Sequence, residues 1–224
     1  MSEKKFIMID NEFMAGTDMY SNREQFVYVL LKALENNVNG ATVIHIESIA
    51  SVLGLSSHSK NRTAIQNILL SLEEKNLLLL YTDLTMTKQI DVKDMKLTGV
   101  YYAKLVEVKG GQGFTKIYYT DMDKFINMDE KYKDLMFVIY FNIIQRIFEG
   151  ESNLDYSYPN IDTIEAQTGI NRKTVMKYIR VLKEHEILYY EKVRKGEHKD
   201  KNYYTRWKDR GCLMSALHSN EECA

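Results

Sequence analysis

Four cations stand on one short helical stretch toward the C-terminal end: Arg172, Lys173, Lys177 and Arg180. At about 100° per residue they fall within roughly 140° of arc, with no acid between them. Val175, Tyr178, Ile179 and Leu182 fall on the other side. The second face suits a protein core. The first suits phosphate oxygens and the acceptor edge of guanine, which arginine and lysine bond in the DNA major groove. Exposed helix faces usually mix charge signs for i,i+4 pairing, so an unmixed basic face points to an anionic partner. Asn171 is placed to cap this helix, because its side chain can accept from the first free amides, and it joins the candidate contacts at the start of the face.

The surrounding charge agrees. From Asn171 to Arg210, thirteen basic residues against six acidic ones leave +7 over 40 residues. The charged turn RKGEHKDK supplies Arg194, Lys195, His198, Lys199 and Lys201, which could reach phosphates flanking a groove. A weaker polar face lies earlier, where Thr63, Gln66 and Asn67 oppose Ala64, Ile65, Ile68 and Leu72, flanked by Arg62 and interrupted by Leu70. Gln and Asn can bond adenine in a bidentate fashion, which predicts a reader of A·T-rich bases with modest affinity. The other reading of this face is a protein partner, or none.

The whole chain hides this asymmetry. Its 224 residues carry 30 Lys and Arg against 31 Asp and Glu, a net charge of −1. The length fits one large domain or two of about 100 residues each. An apolar fraction of 45% and a charged fraction of 27% are ordinary for a globular protein and too apolar for a disordered one. The single proline, Pro159, excludes a proline-rich linker. Cys212 and Cys223 are too few and too close for a disulfide framework, which favours a reducing cytoplasm. Phe6 to Ile9 is too short for a signal-peptide core. Leu135 to Phe141 falls far short of the roughly 20 apolar residues that span a bilayer, so no membrane partner is expected.

No catalytic constellation emerges. His45, His58, His185, His198 and His218 are isolated, and neither cysteine has neighbouring ligands, so neither a metal site nor a cofactor is expected. Gly110-Gly111-Gln112-Gly113 reads as a turn; it lacks phosphate-loop spacing and opens no helix. The expectation is a binding protein, not an enzyme.

The elements that must position the basic face occur twice. Residues 46–55, IESIASVLGL, align with 161–170, IDTIEAQTGI. Asn61-Arg62 aligns with Asn171-Arg172, and Leu72, Glu74, Leu77 and Leu78 align with Leu182, Glu184, Ile187 and Leu188. The offset is 115 before the glycine and 110 after it, residues 56–60 being an insertion in the first copy. Each copy reads as a helix, a short helix, a glycine turn, a third helix and a β-hairpin. Strands opening at Lys5-Phe6 and Lys116-Ile117 serve as lead-ins. These place a first domain at 1–110, a second at 111–210 and a C-terminal tail at 211–224. Residues 84–98 read as a long polar hairpin tip. Residues 135–148 are apolar nearly all round, which fits either a central helix between the copies or a dimer interface.

This order resembles the winged helix-turn-helix family, in tandem, over about residues 20–108 and 125–207. The resemblance implies a mainly α fold with small β-hairpins (α+β), in which the third helix of each copy enters the major groove of double-stranded DNA. Tandem winged helices joined by a long helix are similar to replication initiators and replisome organisers of plasmids and phages. That implies a helicase or primase partner at an origin. A transcriptional regulator of the same architecture and a protein-interaction adaptor are the other roles the family offers.

Overall fold

The computed structural model describes residues 6–15, 19–108, 110–111, 113–147, 156–193 and 201–219. It is an α+β protein of helices and small antiparallel sheets. The chain separates into two units, Met1–Leu135 and Met136–Ala224.

In the first unit, β1 (Phe6–Asp10) leads to α1 (Asn11–Ala15) and then α2 (Asn22–Ala33). There follow β2 (Ala41–Ile44), α3 (Ile46–Val52), α4 (Ser59–Glu74), β3 (Leu78–Tyr81), β4 (Gln89–Ile90), a 3-10 turn at Val92–Asp94, β5 (Tyr101–Leu105), β6 (Phe114–Tyr118) and α5 (Tyr119–Asn127). A Ser-x-x-Glu box starts α2: the Ser21 hydroxyl accepts from Glu24 N, and the Glu24 carboxylate accepts from Ser21 N. This pairing satisfies two helix-end donors at once. Phe26, Val27, Val29, Leu30 and Leu31 on α2 are all buried. Strands β2, β5, β3 and β4 lie side by side in that order, all antiparallel.

Helix α6 (Lys133–Ile144) spans the division between the units. The second unit continues with α7 (Ile161–Thr168), α8 (Arg172–Glu184), β7 (Leu188–Val193), β8 (Lys201–Arg206), a 3-10 turn at Trp207–Asp209 and α9 (Arg210–Ser219).

The sequence repeat returns as a repeat of backbone contacts. Gly54 and Gly169 both end the short helix at φ +67, a left-handed conformation that glycine adopts without a Cβ clash. After the third helix, Asn76 and Glu186 both take φ 57. The next amide then bonds back to the same helical carbonyl: Leu77 N to Leu72 O at 2.8 Å, and Ile187 N to Leu182 O at 2.9 Å. Ahead of the short helix, the Thr42 hydroxyl donates to Leu31 O at 2.9 Å and the Ser157 hydroxyl donates to Ile143 O at 3.0 Å. Thr42 lies in β2 against β5, and Ser157 makes a single bridge to Tyr204 of β8. Each unit therefore pairs the segment before its short helix with the returning strand of its hairpin.

Five expectations change. Strands β1 and β6 do not open separate copies; they pair with each other, with Ile7 opposite Ile117 and both buried. Residues 114–127 thus close the first unit, where Phe125 of α5 packs near Phe26 at 6.3 Å between ring centroids. The boundary moves from about 110 to Leu135/Met136. Residues 84–98 are no polar tip, since Val92 and Met95 are buried. Residues 211–219 of the expected tail are helical: α9 seats Leu213 against Tyr189 and Tyr203, with Trp207 and Leu217 beside them, and 220–224 lie outside the described residues. Finally, Met136–Ile144 are buried throughout within a single chain, so α6 has no apolar face left for a dimer interface.

Glu24 ties α2 to α4, accepting from Lys75 Nζ at 2.5 Å and from the Ser71 hydroxyl. Burial pushes its carboxyl up, but the hydrogen bonds from Lys75, Ser71 and Ser21 outweigh burial and hold it at about 2, against an ordinary 4.5. The folded state therefore favours ionised Glu24, and that stabilisation is present above pH 4.5 and lost as pH falls through about 2. In urea denaturation at pH 7, Glu24→Gln should unfold about 2 kcal/mol more readily than the parent. The gap should close as pH is lowered from 5 toward 2.

Candidate nucleic-acid interface

Helix α8 begins at Asn171, whose side-chain oxygen accepts from Thr174 N at 3.0 Å. That oxygen is spent on the cap, so Asn171 sets where the helix starts. Val175, Tyr178, Ile179 and Leu182 are buried, as their spacing predicts. Lys173, Met176, Lys177 and Arg180 are exposed on the other side. Among the described residues, Lys173, Lys177 and Arg180 make no ion pair. They line a shallow depression with Met176, Val181 and Glu184; Glu184, exposed and four residues past Arg180, puts one carboxylate on the face that the sequence reads as free of acids.

The fourth cation is engaged. The Arg172 guanidinium pairs with Asp162 of α7, and its backbone N donates to Glu165 Oε1 at 3.0 Å. Both partners of the ion pair are exposed, at 55% and 74%, so the pair is weak and a phosphate can compete for the arginine. The same pair recurs in the first unit, where Arg62 Nη2 lies 2.5 Å from Glu47 Oε1. Glu47 and Asp162 occupy equivalent places, as do Arg62 and Arg172. Their shared job is to bind the short helix to the third helix across the glycine turn. An acid stands at this place in both aligned segments, but its distance from the arginine along the chain differs, 15 residues against 10, so only the fold shows the pairing.

The hairpin β7–β8 carries further charge. Lys201 lies exposed at the start of β8, its ammonium 3.8 Å over the Tyr158 ring. Arg194, Lys195, His198 and Lys199 lie outside the described residues. Two of the cations in the +7 count are engaged within the unit. Arg206 is buried at 2% exposure. Lys183 donates to Tyr190 O at 3.0 Å and sits over the Tyr189 and Tyr190 rings at 4.5 and 4.6 Å. The hairpin is also covered by α9, which is why Tyr203 and Tyr204 are both buried although adjacent strand residues point to opposite faces.

The corresponding face of α4 is occupied. Gln66 Nε2 donates to Val92 O at 3.2 Å and to Met95 O at 3.4 Å. Both Glu73 carboxylate oxygens accept from Val92 N at 3.0 Å, and burial pushes the Glu73 carboxyl up. Val92 is fully buried and Met95 nearly so. Gln66 is thus tied down by the 3-10 turn and not presented as a base reader, while Thr63 and Asn67 remain exposed. Asn61 does not cap α4 either. The inserted residues 56–60 let the helix start earlier, at Ser59, and Asn61 Nδ2 donates to Ser56 O at 2.9 Å. Leu69, not Ile68, is the fully buried residue of that turn; with Ile65 and Leu72 it makes one buried stripe at i, i+4 and i+7.

Among the described residues, no group of three or more His, Cys, Asp or Glu side chains could hold a metal, and no helix is long and apolar enough to cross a membrane. Comparison with protein-family models finds no match, and comparison with curated proteins finds none either.

The cover on α4 hangs on few groups, so its loss should be local. Val92→Asp would put an unpaired carboxylate into a buried apolar site, a cost of several kcal/mol if it stays there. Hydrogen exchange should show amides of residues 84–98 losing protection, while those of α2 and β5 keep theirs. Uniform loss across the first unit would show that the segment is integral to the core.

Proposed function

We propose that this chain is a double-stranded-DNA-binding protein whose two units are winged helix-turn-helix modules, acting by binding alone in the cytoplasm. The second unit is the reader: α8 enters the major groove and the β7–β8 hairpin flanks it as the wing. The observation that carries this is the exposed stripe of Lys173, Lys177 and Arg180, which make no ion pair among the described residues and are backed by a buried apolar face. An α-helix of about 10–12 Å diameter fits a groove about 12 Å wide. Lys201 extends the basic surface to the hairpin.

The first unit has the same order of elements but not the same free face. With Gln66 held by Val92 and Met95, we assign it a protein-binding or scaffolding part rather than base reading through α4. The biological role we propose is replication initiation on a plasmid or phage, which rests on the resemblance of tandem winged helices to such initiators. It would be recognised by repeated sites at an origin and by recruitment of a helicase or primase. A promoter site without that recruitment would assign the chain to transcription instead.

Replacing Lys173, Lys177 and Arg180 together by alanine should lower duplex affinity by roughly two orders of magnitude in 0.1 M salt. It should also flatten the slope of log K against log salt by about 2.7. Circular dichroism should show the fold unchanged. Asp162→Asn should act the opposite way, freeing Arg172 for a phosphate, with affinity about three-fold higher and the slope steeper by up to about 0.9. A triple variant that binds as the parent does would refute the assignment of α8.

A further inference from the structure

Met176 is the odd residue on the basic stripe. It is 39% exposed, while the four core-facing residues of α8 are buried. At about 100° per residue it lies within roughly 100° of arc that also holds Lys173, Lys177, Arg180 and Glu184. Its axial neighbours are Lys173 at i−3 and Arg180 at i+4, and all three line the same depression. Lysine or glutamate there would be better solvated. Among the described residues, Met176 stands exposed beside the cations and outside the buried face of α8.

We propose that Met176 is a specificity-determining residue that reads the C5-methyl group of thymine in the major groove. The proposal rests on the assignment of α8 as the groove helix and names what that helix recognises. Each base pair presents a distinct pattern in the major groove, and the thymine methyl is its one apolar feature. Lysine and arginine bond guanine O6 and N7 or phosphate oxygens, and neither group can discriminate thymine by hydrogen bonding alone. A flexible thioether adapts its shape to a methyl group, and the flanking cations hold the backbone of the duplex close enough for that contact. The chemistry selects a step in which thymine adjoins a guanine or a phosphate engaged by Lys173, Lys177 or Arg180.

Uracil supplies the test, since it differs from thymine only by that methyl. A tight-binding duplex would be selected with the full chain from a synthetic random pool, which contains no methylated cytosine. Each thymine in its footprint would then be replaced singly by deoxyuridine, and affinity read by fluorescence anisotropy at fixed salt. One or two positions should weaken binding roughly three- to five-fold, the value of one buried methyl. At those positions Met176→Ala should show no further loss, and Met176→Leu should keep the sensitivity. The proposal is overturned if no position responds to uracil, or if Met176→Ala responds as fully as the parent. Failure to select any duplex at low salt would overturn the groove assignment as well, a separate and earlier failure.

Discussion

Helix α8 has to satisfy two media at once, and the rest of the second unit follows from that demand. Val175, Tyr178, Ile179 and Leu182 bury one side. The burial fixes the rotation of the helix about its own axis, and so fixes which residues face out. Because the core residues repeat at helical spacing, the outward face is equally determined: Lys173, Met176, Lys177 and Arg180. No separate device is needed to aim the cations. Gly169 at φ +67 and the Asn171 cap set where the helix begins, and the Arg172–Asp162 pair ties it to α7.

The two units show how one plan diverges by covering a face. Both keep the glycine turn, the back-bonded helix exit, the hydroxyl that anchors the segment before the short helix, and the acid–arginine pair. They differ in the hairpin. The longer hairpin of the first unit folds back and places Val92 and Met95 against α4, using Gln66 and Glu73 as polar anchors. In the second unit, α9 instead covers the outer face of the hairpin and leaves α8 open. The position of the added segment, more than the composition of the third helix, separates a face in contact with the chain from one in contact with solvent.

Much of this was legible in residue spacing. The helices, the glycine turns and the core face of α8 follow from local periodicity, which tertiary packing then reinforces. What was not legible is long-range. Nothing local in Phe6–Asp10 and Phe114–Tyr118 says that they pair with each other, since each reads as an apolar strand at the head of its own copy. The apolar residues Val92 and Met95 sit in a stretch with polar neighbours, and only the fold shows that they meet α4. Arg172 counts as a free cation until Asp162, ten residues away, is brought beside it. Leu213 and Leu217 look like part of a tail until Tyr189 and Tyr203 supply a surface.

The placement of α8 in the major groove is tested most directly by dimethyl sulfate protection on a bound duplex. The reagent methylates guanine N7 in the major groove and adenine N3 in the minor groove. Protection of guanine N7 within the footprint, with adenine N3 still reactive beside it, is the predicted result. Guanine N7 left fully reactive while the complex remains intact would contradict it.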